Sequence, residues 1–159
     1  LGYNFRMGVN TASKDYVGWF PGDNQITSES MNNIFEQIGK TDIIIPYVDN
    51  PRQRQVYRLI LSYTYTAIFN IIFGLRLKYF NGPCFFKRNL LKTVSMTTDS
   101  PAYMAEIIVQ LLKSTAVSYM EVAFHNQKRE YGKSSVLKWK NVYLIGKTIA
   151  NLIYRIYVK

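Results

Sequence analysis

Asp23 and Gln25 stand two residues apart directly after Pro21-Gly22, at the end of the apolar run Tyr16-Val17-Gly18-Trp19-Phe20. A carboxylate and an amide offer hard oxygen donors, which are what Mg²⁺ or Mn²⁺ takes. They fill only part of such a cation's shell, so phosphates and water would supply the rest. Taken alone, Pro-Gly-Asp-Asn is also an ordinary turn composition. Further along, Arg129 and Lys133, with Ser134 beside them and Arg88 more distant, carry groups that neutralise or hydrogen-bond phosphate. After Asp49 the acids are Asp99, Glu106, Glu121 and Glu130, and Glu106 is the first choice among them for a general base. Cys84 is the only cysteine and His125 the only histidine, which excludes an intrachain disulfide and a Cys/His zinc cluster. A Ser-His-Asp triad would have to use His125, which reads instead as an ordinary strand or loop residue.

These groups need elements to position them, and 159 residues, 48% of them hydrophobic, suit one domain with a buried core. Residues 4–13 read as a short helix and 16–20 as a buried strand, stopped by Pro21-Gly22. Asp23 to Gln25 then fall at the C-terminal end of a strand, the edge where open α/β sheets bind ligands. Thr27 and Ser28 are capping candidates for a helix over about 28–39. The run 42–48 is apolar throughout its centre, as expected of a strand covered on both faces. A helix follows over about 53–76, with Leu61, Tyr65, Ile68, Ile72 and Leu75 as its apolar line and Ser62, Thr66 and Asn70 as a polar one. Within it, 59–75 comes closest to a membrane span but is short and interrupted by polar residues, so it reads as buried or interfacial. Cys84-Phe85-Phe86 is a strand candidate, 101–113 a helix, 119–124 a strand and 131–135 a loop. Residues 136–157 read as an amphipathic helix, with Trp139, Val142, Ile149, Leu152 and Ile156 facing one way and Lys140, Lys147, Asn151 and Arg155 another. Strands alternating with helices make the chain α/β.

Charge is uneven along this framework. The net charge is +10, yet residues 1–50 hold six acids against Arg6, Lys14 and Lys40. The excess lies later, and from Lys128 onward only Glu130 is acidic. A basic end of this kind favours phosphates, whether on nucleotides, lipid headgroups or nucleic acid.

The order of these motifs resembles that of family 2 glycosyltransferases of the dolichyl-phosphate mannosyltransferase type. DYVGWFPGDNQ (15–25) lies where that family carries a strand running into Asp-x-Asp-x-Gln, with Asp23 on the second Asp, Gln25 on the Gln and Pro21 in place of the first Asp. Arg58, Ser62, Asn70 and Gly74 fit the family's Arg-x-x-x-Ser, Asn and Gly helix region. NGPCFFKRNLL (81–91) is similar to its Ser-Gly-Phe-x-x-Phe-Arg-Arg segment, with Gly82 and Arg88 matching and Lys78 where an Asp often stands. YMAEIIVQLLK (103–113) puts Glu106 on the family's helical Glu. YMEVAFHNQKREYGKSS (119–135) resembles the Glu-Val-Pro-Ile and Arg-x-x-Gly-x-Ser-Lys signature, matching at Glu121, Arg129, Gly132, Lys133 and Ser134.

The resemblance implies a GT-A type, Rossmann-like domain, of which residues 1–135 would be the C-terminal half, lacking the first strands, and 136–159 a basic membrane-proximal helix. A sheet lacking those strands exposes an edge and apolar surface. The implied activity is inverting transfer from a UDP- or GDP-sugar to a lipid-phosphate or glycan acceptor, at the cytoplasmic face of an anionic membrane. Asp23 and Gln25 would hold Mg²⁺ or Mn²⁺; Arg129, Lys133, Ser134 and Arg88 would hold phosphate. No Gln precedes Trp139 by three residues, so the processive-synthase motif is absent and single transfer is expected. Two other readings stand beside it. One is a relative that has lost catalysis, for which Pro21 and Lys78 speak. The other is a basic nucleic-acid-binding module, which would need aromatics exposed beside its cations; Trp19, Phe85 and Phe86 lie instead in apolar runs.

Overall fold

The structure is a computed structural model that describes residues 1–50, 56–114, 116–127 and 139–158. In chain order its elements are α1 (Gly2–Thr11), β1 (Tyr16–Gly18), α2 (Ser28–Phe35), β2 (Ile43–Val48), α3 (Val56–Phe73), β3 (Phe85–Lys87), α4 (Arg88–Leu91), α5 (Tyr103–Ser114), β4 (Tyr119–Phe124) and α6 (Trp139–Ile153). A π-helical turn, Tyr154–Val158, continues α6. The expected α/β class is what forms.

Four strands make one sheet in the order β1-β3-β2-β4. β2 and β4 are parallel over six pairs, Ile43 opposite Tyr119 through Val48 opposite Phe124. β3 runs antiparallel to both β1 and β2, so the sheet is mixed rather than wholly parallel. The turn at Asn81-Gly82-Pro83 reverses the chain against β2: a Cβ on Gly82 would collide with the Pro46 carbonyl, so only glycine allows that approach. β1 and β4 are the edges, and the outer side of β1 borders a groove of about 670 Å³ lined by α1 and by Val17 and Trp19.

The apolar run of β2 is explained by cover on both faces. Ile43 and Ile45 join a core with Phe69, Phe73, Phe86, Ile107 and Ile108. Ile44, pointing the other way as strand alternation requires, joins Ile26, Ile34, Phe85 and Phe124 under α2. All three isoleucines are fully buried. α5 is buried from Tyr103 to Leu111.

Two helices differ from the sequence reading. In α3 the side that meets the core carries Thr66, Phe69 and Phe73, so the polar line of Ser62, Thr66 and Asn70 lies towards the protein. Asn70 receives the Leu77 N–H on Oδ1 at 3.0 Å and donates Nδ2 to the Leu77 carbonyl at 2.8 Å, fixing the chain beyond the helix. Gly74 ends α3 at φ +60°, a left-handed position that glycine takes without strain. In α6, Leu152 is fully buried in the main core and Ile149 and Ile156 pack against it, while Trp139 and Val142 are exposed. Thr148 Oγ1 bonds Thr98 Oγ1 at 2.9 Å and lies 3.3 Å from Ser100 Oγ, so α6 shares the core of the preceding residues.

Candidate functional site

The C-terminal ends of β1, β2 and β4 share one edge of the sheet, and four chain segments converge there. After β1 the chain turns through Asn24, whose φ of +52° is the left-handed turn conformation that asparagine tolerates. Gln25 Nε2 donates to Asp23 Oδ2 at 2.8 Å, so the two expected ligands lie side by side. The Gln127 N–H donates to the Gln25 carbonyl at 2.6 Å, and Ile26 bridges Asn126, which ties this turn to the exit of β4.

The exits of β2 and β4 are latched in turn. Asn50 Nδ2 donates to the Asn126 carbonyl at 2.8 Å, and the Asn126 N–H returns a bond to Asn50 Oδ1 at 2.9 Å. His125 Nε2 lies 2.8 Å from Asp49 Oδ1 on the half-exposed rim. Behind them, α2 starts with Thr27, whose Oγ1 accepts the Ser30 N–H at 3.2 Å as an N-cap. Ser30 Oγ then accepts the His125 N–H at 2.9 Å, fixing the histidine backbone.

This pairing of His125 with Asp49 escaped the sequence reading. The two are 76 positions apart, and only the parallel register of β2 on β4 brings them together. The available signal was weak: each follows a predicted strand by one residue.

Other candidates fall elsewhere. Glu106 is buried and its carboxylate is held by three hydrogen bonds: Oε2 accepts the Thr97 and Thr98 N–H groups at 3.0 and 3.1 Å, and Oε1 accepts the Thr97 hydroxyl at 2.6 Å. Arg155 Nη1 stands 3.7 Å from the same Oε1. A buried carboxylate so held anchors the 95–98 loop and the π-helical turn after α6, a structural task beside the base role that the sequence suggests for it. Arg88 lies at the opposite sheet edge from Asp23, since its N–H bonds the Asp15 carbonyl at 2.7 Å and Nη1 reaches the Ala12 carbonyl at 3.3 Å. The structure therefore separates it from the Asp23 cluster. Glu121 Oε1 accepts the Lys78 N–H at 2.6 Å, a structural task on β4. Burial pushes the Cys84 thiol up, leaving it protonated and no nucleophile. Arg129, Lys133 and Ser134 lie outside the described residues.

Among the described residues no three His, Cys, Asp or Glu side chains are grouped to hold a metal. What Asp23 and Gln25 provide is one carboxylate and one amide, hard donors that suit Mg²⁺ or Mn²⁺ when a diphosphate completes the shell. Neither a scan of protein-family models nor a search of curated proteins finds a match to this chain, so the reading of the site rests on its own chemistry.

Proposed function

We propose that this chain forms part of an inverting glycosyltransferase that moves a sugar from a UDP- or GDP-sugar to an acceptor held at a membrane. The observation that carries this reading is the convergence of the Asp23–Gln25 pair with the exit of β4 at one sheet edge, through the 2.6 Å bond from Gln127 to Gln25. Asp23 and the amide oxygen of Gln25 would hold the divalent cation, which supplies the positive charge that a leaving diphosphate needs. Arg129 and Lys133 follow Gln127 by two and six residues in sequence and bring further cations to the same task.

The acceptor decides whether a base is needed. A lipid phosphate, such as a polyprenyl phosphate, is already an anion and attacks without one. A hydroxyl acceptor needs a base, and His125 oriented by Asp49 on the rim of the same edge suits that role better than the buried Glu106.

The test is Mn²⁺-dependent binding of UDP and GDP, followed by transfer from labelled nucleotide-sugars to polyprenyl phosphate or glycan acceptors. Asp23→Asn should weaken Mn²⁺-dependent nucleotide binding at least tenfold. His125→Gln should spare transfer to a lipid phosphate and slow transfer to a hydroxyl about a hundredfold. Wild-type binding and transfer by Asp23→Asn would sink the reading and leave a relative without the metal chemistry.

A further inference from the structure

α3 turns an apolar side away from the protein. Val56, Ile60, Tyr63 and Ile71 recur at helical spacing on the outer side, and Ile71 is 80% exposed. The helix is long and apolar enough by composition to cross a membrane. Its C-terminal half is nevertheless held against the protein, because Thr66, Phe69 and Phe73 are buried in the core and Asn70 is bonded to Leu77. A helix fixed along one side, with an apolar stripe on the other, lies on a surface rather than through it.

α6 and its π-helical turn lie beside α3. Tyr157 Oη donates to the Ile72 carbonyl at 3.0 Å, and the Tyr157 ring stacks parallel to Phe73 at 6.3 Å. The outer side of this second helix is also apolar and aromatic: Trp139 is 87% exposed, and Tyr143, Ile153 and Tyr154 follow it. Charge selects the occupant. Residues 56–80 contain Arg58, Arg76 and Lys78, of which Lys78 lies over the Tyr47 ring; residues 139–158 contain Lys140 and Lys147 beside Arg155, which is turned inward to Glu106; and neither stretch holds an acid.

We propose that the outer sides of α3 and of α6 with its π-helical turn form one docking face for an anionic lipid bilayer. The inference rests on the reading of a membrane-held acceptor and names the part of the chain that meets the membrane. Aliphatic side chains enter the acyl boundary, Trp and Tyr rings sit at headgroup depth, and the cations meet lipid phosphates. A second copy of the chain would set cations against cations with no carboxylate between them. Single-stranded nucleic acid would find the rings and cations, but the aliphatic stripe of α3 stacks no base.

The experiment is co-flotation of the chain with phosphatidylcholine vesicles, with and without phosphatidylglycerol, at low and high salt. Wild type should float with the anionic vesicles and bind them less at high salt. Ile60→Glu with Ile71→Glu should reduce flotation by more than about tenfold, and Lys140→Glu with Lys147→Glu should erase the preference for phosphatidylglycerol. Circular dichroism and melting of both variants should match wild type, since all four side chains are exposed; should the isoleucine pair misfold, Tyr143→Glu serves in its place. Asp23→Asn should float like wild type, so a failure of sugar transfer and a failure of docking are separable. Wild type left unfloated, variants floating as wild type, salt-sensitive RNA binding in place of vesicle binding, or a dimer dispersed by the isoleucine pair without vesicle binding would each overturn the proposal.

Discussion

At the scale of single residues, several side chains that look reactive serve the backbone. Asp42 is a clear case. Lys87 Nζ lies 2.7 Å from Oδ1, and Oδ2 accepts both the N–H and the hydroxyl of Ser118 at 2.8 Å. The bond from Lys87, then those from Ser118, hold the carboxyl at about 2, below its usual range. A depressed carboxylate stabilises the fold above its unfolded pKa near 4, and that contribution is lost as pH falls from about 4 towards 2. Asp42→Asn should therefore flatten the acid limb of a stability-versus-pH curve in that window while changing its neutral-pH plateau less steeply with pH. Urea melts at stepped pH would show it, and an unchanged acid limb would contradict the assigned cause. Glu106 teaches the same lesson: residue type offered a base, and three hydrogen bonds from Thr97 and Thr98 with an ion pair to Arg155 make it an anchor.

At the scale of elements, β2 was legible, as was the helical state of α3, but not the side of α3 that faces the core. Ile43-Ile44-Ile45 with proline and turn residues beyond it has one economical structure, a strand buried on both faces, and that is what forms. α3 is apolar around most of its circumference, so periodicity gave no reliable inner face. The choice was made by partners distant in sequence: Phe80 against Phe69 at 5.3 Å, and the Leu77 backbone against Asn70. Asn70→Ala leaves the Leu77 N–H and carbonyl without their partner and should cost roughly 1–3 kcal/mol in chemical denaturation. Ser62→Ala, on the same line with no such double bond to the backbone, is the comparison variant and should cost less. β3 was legible as a strand at Cys84-Phe85-Phe86, but its antiparallel direction was not, because three residues carry a strand propensity but no direction.

At the scale of the molecule, α6 is both a core element and an outward-facing one. Leu152 is fully buried among the aromatic and aliphatic side chains of α3 and α5. Leu152→Ala should destabilise the whole domain by about 2–5 kcal/mol in one cooperative transition, read by denaturant melts followed at several probes. A separate early transition for α6 would show instead that it is only loosely attached. The sequence by itself determined the α/β class, the buried strands, the turn carrying Asp23 and Gln25 and the cap at Thr27, since each depends on a few neighbouring residues and local sterics. Only the tertiary structure decided the pairing of His125 with Asp49, the engagement of Glu106, the separation of Arg88 from Asp23 and the outward turn of the apolar side of α3. Those depend on which strand lies beside which and on competition among distant side chains for the same core, and local pattern carries no record of either.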